Sequence, residues 1–164
     1  MMSWLLERLQ KHKDDRGMMA NLRCVLVPNK KHRAWPALNR LGVQIDDEPS
    51  AYVAGLFAFH PEDTSSGNFG YTCKIIEQPP GDKGTDANKL TPTERRFQHL
   101  LMAEKGKELY SRVFRMVLMA KAEGVPVNYD QLAKDIRFWS DDTKTKWATA
   151  FWAPNSPLTP EEDI

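Results

Sequence analysis

The sequence predicts an all-α protein, two small helical bundles joined by a flexible linker. Three observations predict it. Apolar side chains recur at i, i+3, i+4 spacing within short segments. Those segments open on Ser, Thr, Asp or Asn and close on Gly or Pro. No apolar–polar alternation survives beyond four residues, so no strand is expected. The stretch Gln78-Pro79-Pro80-Gly81-Asp82-Lys83-Gly84-Thr85-Asp86-Ala87-Asn88-Lys89 has almost nothing to bury and reads as a linker. It sets the expected organisation: an N-terminal bundle over 1–77, a linker over 78–90, a C-terminal bundle over 91–154 and a loose acidic tail over 155–164.

Taken in order, residues 3–13 carry Trp4, Leu5, Leu6 and Leu9 on one helical face. Asp14 and Asp15 are placed to cap a second helix over 16–27, with Met18, Met19, Leu22, Val25 and Leu26 inward and Pro28 ending it. The basic run Lys30-Lys31-His32-Arg33 leads into a helix over 34–41, with Trp35, Leu38 and Leu41 inward and Gly42 as its stop. Asp46-Asp47-Glu48-Pro49 opens a helix over 50–60, whose small Ala54, Gly55 and Ala58 imply close helix–helix contact. Asn68 caps a short helix bearing Phe69, Cys73, Ile75 and Ile76.

Past the linker, Thr91 with Glu94 forms a capping box, and Pro92 suits the first helical position. Phe97, Leu100 and Leu101 give that helix its apolar face. A helix over 107–123 follows, with Leu109, Val113, Met116, Val117 and Ala120 on one arc, Arg112 and Arg115 opposite, and Gly124 closing it. Asn128 caps 129–139, and Asp141-Asp142 starts a last helix through Trp147, Phe151 and Trp152. Eight or nine short helices are expected in all.

Composition is that of a globular chain: 164 residues, 41% hydrophobic and 27% charged. No apolar run approaches the ~18 residues a membrane span requires, and the N-terminus lacks the pattern of a secretion signal. The two cysteines, Cys24 and Cys73, fall in apolar helical patterns and are expected as free thiols. A soluble cytoplasmic protein is the expectation. The histidines His12, His32, His60 and His99 each lack a second ligand at metal-binding spacing, so no metal or other cofactor is expected. Asp14-Asp15, Asp46-Asp47 and Asp141-Asp142 resemble fragments of a metal-dependent nuclease site, yet each stands where a helix begins, and capping suffices to explain it. Gly67-Asn68-Phe69-Gly70 and Gly81-Asp82-Lys83-Gly84 follow no strand and are too short to cradle phosphate. No catalytic residue is expected.

Twenty-three basic residues against 22 acidic ones leave a net charge of +1, so attraction to nucleic acid must come from local clusters. Arg16 with Arg23, Lys30 and Lys31 with Arg33, Lys74, Arg95 with Arg96, Arg112 with Arg115, and Lys144 with Lys146 all fall on expected polar faces. Arg16 and Arg23 lie two turns apart on one face, roughly 10 Å from each other. Such cations track phosphates on a rigid scaffold; a solvated surface carries the same pattern. The residues leave both readings open.

In sequence order, several segments together are similar to the CasB family, the small subunit of the type I-E CRISPR surveillance complex Cascade. They are Ala20-Asn21-Leu22-Arg23, Trp35-Pro36-Ala37-Leu38-Asn39-Arg40-Leu41-Gly42, Val53-Ala54-Gly55-Leu56-Phe57-Ala58-Phe59-His60-Pro61, Gly67-Asn68-Phe69-Gly70, Glu94-Arg95-Arg96-Phe97, Gly124-Val125-Pro126-Val127-Asn128-Tyr129 and Trp147-Ala148-Thr149-Ala150-Phe151-Trp152. The resemblance implies an all-α subunit without catalytic activity that stabilises an R-loop. Its implied partners are the guide-RNA backbone subunits, the large subunit, a second copy of itself, and crRNA with target DNA, including the displaced strand. By position it implies nucleic-acid contacts for Arg16, Arg23, Lys30, Lys31, Lys74, Arg95, Arg96, Arg112, Arg115, Lys144 and Lys146. Asp141-Asp142 and the acidic tail depart from the family pattern.

Overall fold

A computed structural model describes residues 3–77 and 89–154. Most of the expected linker (78–88) and the whole expected tail (155–164) lie outside the described residues. Among those described there are nine α-helices and two 3₁₀ segments. They are α1 (Trp4–Lys11), α2 (Arg16–Arg23), 3₁₀ segments Cys24–Leu26 and Pro28–Ala34, α3 (Trp35–Leu41), α4 (Glu48–Phe59), α5 (Phe69–Ile76), α6 (Pro92–Leu101), α7 (Lys107–Glu123), α8 (Tyr129–Arg137) and α9 (Asp141–Phe151). The fold is all-α, and a single isolated bridge, Asp63 with Val127, is the only β-type pairing among the described residues.

Local chemistry explains most helix starts. Ser3, Asp15, Asp47, Asn68, Thr91 and Asn128 each accept a hydrogen bond from a backbone N–H of the first turn. At α6 the capping box is complete: Glu94 N–H donates to Thr91 Oγ1 at 3.1 Å and Thr91 N–H to Glu94 Oε1 at 2.8 Å. Gly42 and Gly124 close α3 and α7 in the left-handed conformation, at φ 80° and 68°. Most helix bounds agree with the sequence expectation to within about two residues, and two ends differ in kind. The second helix ends at Arg23 rather than Val27, because the chain tightens into 3₁₀ turns before Pro28. The last helix is capped by Ser140, leaving Asp141 and Asp142 inside its first turn, where their charge still suits the N-terminal end.

At the centre of the packing is α4, apolar all round, with Ala51 and the run from Val53 to Ala58 buried. It contacts α1, α2, α7 and α8. Gly55 is what lets α2 approach: a Cβ there would stand 3.2 Å from the Leu22 carbonyl oxygen. The other intimate contact is α5 against α9, where Gly70 faces the Trp147 backbone. Buried apolar residues from Leu5 to Phe151 form one cluster. The connection after α4 is clasped to the one before α8. A ring nitrogen of His60 meets Val125 O at 2.7 Å, Tyr129 Oη donates to His60 O at 2.6 Å, and Val127 N–H donates to Glu62 O at 3.0 Å. No helix among the described residues is long and apolar enough to cross a membrane.

Candidate nucleic-acid interface

The eleven basic residues singled out by the sequence separate into four groups according to what their charged ends meet. Arg16, Lys30, Lys31, Arg96 and Arg115 are exposed and make no hydrogen bond or ion pair among the described residues. Arg23, Lys74 and Arg95 are held by carbonyls: Arg23 donates to Ala58 O at 3.2 Å, Lys74 to Ala153 O at 2.7 Å and Arg95 to Leu90 O at 2.7 Å. A carbonyl orients a cation without cancelling its charge, so these three remain positive outward and lose rotamer freedom. Arg112 and Lys146 are paired with carboxylates, Glu108 at 3.4 Å and Asp142 at 3.1 Å. Lys144 sits over the Trp139 ring at 5.6 Å.

Arg112 departs from its expected place. The sequence put it on the water-facing side of α7 beside Arg115, but its side chain is only 19% exposed. Its Nη1 donates to His99 O at 2.6 Å, in the last turn of α6, so it fastens α6 to α7. The same device recurs. Arg8 reaches Leu41 O at the end of α3, Lys105 reaches Arg137 O at the end of α8, and Lys121 and Arg23 reach Phe59 O and Ala58 O at the end of α4. The last carbonyls of a helix lack intrahelical donors and carry negative partial charge, which makes a cation from a neighbouring helix a suitable cap.

Acceptor type thus picks out one region. Arg16, Arg23, Lys30 and Lys31 belong to α2 and the 3₁₀ segment that packs on it, together with α3. Residues 16–45 contain Arg16, Arg23, Lys30, Lys31, Arg33 and Arg40 and no Asp or Glu. That run of one sign was the signal to look for, and the near-zero net charge of the whole chain conceals it. In this unit only Arg40 meets a carboxylate among the described residues, Asp15 at 3.8 Å, across a solvent-exposed gap. Arg95, Arg96 and Arg115 form a second, smaller group on α6 and α7, which pack together. Lys74, Lys144 and Lys146 lie on α5 and α9, also in contact.

One carboxylate of each acidic pair is engaged elsewhere. Asp15 and Asp47 cap α2 and α4, and Asp142 pairs with Lys146. Asp47 also accepts from Arg137 Nη2 at 2.8 Å. Burial pushes its carboxyl up, but hydrogen bonds from Ser50 and Arg137 outweigh this and hold it below the ordinary value. Among the described residues no three His, Cys, Asp or Glu side chains come together as a metal site. Cys73 is fully buried, which pushes its thiol well up and away from reactivity.

Trp35 is the other correction. Expected inward, it is 44% exposed, whereas Trp147 is buried and Trp139 half-buried. The buried face of α3 is Ala37, Leu38 and Leu41, continued by Ala34, and Trp35 lies one residue, about 100°, round from Ala34.

The sequence matches the family model described as CRISPR-associated protein Cse2 over residues 18–152. Among solved structures, CasB from Thermus thermophilus is 17% identical with a TM-score of 0.71, covering 94% of this chain and 100% of its own. A second Thermus thermophilus structure, of a CRISPR-associated protein of the Cse2 family, is 18% identical with a TM-score of 0.73, covering 94% and 100%. CasB from Thermobifida fusca is 16% identical with a TM-score of 0.69, covering 93% and 100%. At that identity the structural likeness is one of fold. No curated protein matches the sequence.

Proposed function

The chain belongs to the CRISPR-associated Cse2 family, and from that premise we propose that it is the non-catalytic small subunit of a type I-E Cascade surveillance complex, holding an opened target by its sugar-phosphate backbone. The observation that carries this reading is the set of cations on α2 and the adjoining 3₁₀ segment that meet no carboxylate among the described residues: Arg16, Arg23, Lys30 and Lys31. Each contact with a phosphate releases condensed counterions, so a row of them holds a strand of any sequence. Sequence is left to pairing between guide and target. Arg95, Arg96 and Arg115 extend the contacts onto α6 and α7, and Lys74 and Lys144 onto α5 and α9. Arg112 and Lys146, with their charges balanced internally, contribute less. The partners in this reading are guide RNA, both strands of target DNA, the guide-bearing and large subunits, and a second copy of the chain. The isolated protein binds weakly, and the assembly supplies many contacts at once.

A second reading has its own observation. Arg8, Arg23, Lys105, Arg112 and Lys121 cap helix ends, so much of the positive charge serves the fold, as a purely structural scaffold subunit would require. The two readings separate in the assembled complex carrying Arg16→Glu, Lys30→Glu and Lys31→Glu. We expect assembly to proceed, target-DNA retention in a gel shift to fall, and the salt slope to become shallower by about three, one per lost contact. The affinity gap to wild type should therefore be widest at low salt. Unchanged retention would leave the scaffold reading standing.

A further inference from the structure

Five tryptophans are present, and the fold accounts for four of them. Trp147 is buried and donates from Nε1 to Asp135 at 2.8 Å. Trp139 donates to Ala103 O at 2.9 Å beneath Lys144. Trp152 packs on Phe97 and Phe151 and donates to Glu94 at 3.0 Å. Trp4 carries the Arg8 guanidinium over its ring at 5.0 Å. Trp35 has none of this. Its Nε1 has no acceptor among the described residues, and its one ring neighbour is His32, met at 6.3 Å with the planes 77° apart. At 44% exposure, much of the indole is open to solvent.

The geometry of the preceding segment says what stands beside that face. In a 3₁₀ helix, residues three apart align, giving three stripes along Pro28–Ala34 and into Trp35. The stripe through Pro28 and Lys31, both exposed, ends on Ala34, which is fully buried, so this side turns inward only where it meets α3. The other two are exposed: Asn29, His32 and Trp35 on one, Lys30 and Arg33 on the next. An aromatic stripe therefore runs alongside a cationic one, in a 30-residue stretch (16–45) free of Asp and Glu. Phosphates are drawn to the second stripe and bases stack on the first. This is the pairing by which single strands are held without regard to sequence, since every base has a π-face. Duplex DNA, with its bases stacked on one another, offers no free face to Trp35.

We propose that the outward indole of Trp35, flanked by Lys30 and Arg33, is a stacking platform for an unpaired base of single-stranded nucleic acid. The inference rests on the backbone-holding reading above and adds to it a ligand class: a strand out of its duplex. Trp35 contacts no phosphate, so its contribution is independent of salt.

The test uses the full-length chain at about 50 mM salt, where backbone contacts are strong. The probes are a fluorescent DNA strand of about 16 nucleotides, at the upper site size of a stacking groove, and the same strand with abasic sites throughout. Trp35→Ala is expected to weaken the intact strand by about 5- to 100-fold with an unchanged salt slope. Wild type and variant should bind the abasic strand equally, and Trp35→Phe should keep most of the affinity. Trp35→Leu, which keeps bulk without a π-face, should reproduce the alanine loss if the alanine variant proves unstable. The platform is overturned if either non-aromatic variant binds the intact strand like wild type, or loses both strands equally. It is also overturned if wild type binds neither strand, or if the variants lose only their place in the assembled complex. Any of these leaves the backbone-holding reading to be decided by its own charge-reversal experiment in the complex.

Discussion

The unit formed by α2, the 3₁₀ turns and α3 and the region formed by α5, α6, α7 and α9 use the same residue types to opposite ends. In the first, every cation but Arg40 stands at the surface without a carboxylate among the described residues, and Trp35 stands beside them. In the second, Arg112 and Lys146 are paired, Lys74 closes the end of α9, and the tryptophans are locked into aromatic contacts. What differs is the acceptor each side chain finds. A positive charge that meets a carboxylate inside its own fold has less left for a partner, one held by a carbonyl keeps its charge but loses freedom, and no count of Lys and Arg distinguishes the cases.

One small substitution made once in each region should break the symmetry most. At Gly70 a Cβ would overlap the Trp147 carbonyl oxygen and lie 2.8 Å from its Cα, both backbone atoms that no side-chain rotation can clear. Gly70→Ala should therefore part α5 from α9 at a cost of about 3 kcal/mol or more. At Gly17 in α2 the same Cβ meets only Asp15 Oδ1, at 3.7 Å, an ordinary contact. Gly17→Ala should stabilise the protein by roughly 0.5–1 kcal/mol through lower backbone entropy in the unfolded chain. Urea denaturation of the two variants gives both signs. Equal effects would show that the α5–α9 contact is no tighter than the surface of α2.

How much of this was legible beforehand follows from range. Caps are local, so Asp15, Asp47, Asn68, Asn128 and the Thr91–Glu94 box were readable from neighbours three residues away. Gly55 was readable as a small residue in an apolar helix, and α4 holds α2 against it. The role of Gly70 was not, because the α9 backbone that excludes a side chain there lies 77 residues downstream of it, at Trp147. Trp35 was misplaced because its i, i+3 spacing to Leu38 suggests a shared face, whereas the buried face is centred on Ala34, Ala37, Leu38 and Leu41 and leaves Trp35 at its edge. Arg112 was misplaced because helical periodicity reports the direction away from one helix's own core, and α6 lies in that direction.

The two α7 arginines sharpen the comparison at intermediate size. Arg112→Met removes a 2.6 Å hydrogen bond to His99 O and the Glu108 pair from a mostly covered site, and should cost about 1–2 kcal/mol. Arg115→Met, three residues along and exposed, should stay within about 0.5 kcal/mol of wild type. Retention of target DNA by the assembled complex should respond in the reverse order, with the greater loss at Arg115. Should the two variants melt together, Arg112 is not the fastener its geometry implies.

The smallest effect concerns a cation engaged between α4 and α8. Arg137 pairs with Asp47 at 2.8 Å, with the two side chains 41% and 27% exposed, so solvent screens the pair and its contribution is about 0–1 kcal/mol. Asp47 is held below its ordinary 3.8 because the Ser50 and Arg137 interactions outweigh burial. A carboxyl lowered on folding contributes stability that is present above its unfolded value and lost as pH falls through the folded one. Asp63 has the opposite sign: burial raises it, so its contribution is present below the unfolded value and lost as pH rises through the folded one. Wild type and Asp47→Asn share Asp63, so their difference isolates Asp47. Asparagine caps a helix about as well as aspartate, which leaves the ion pair as the main loss. The variant should melt slightly below wild type at neutral pH, with the gap closing once pH drops below about 4 and narrowing in high salt. A gap that persists unchanged to pH 2.5 would mean that Arg137 gains nothing from the Asp47 charge, and would move it to the unpaired cations it is here contrasted with.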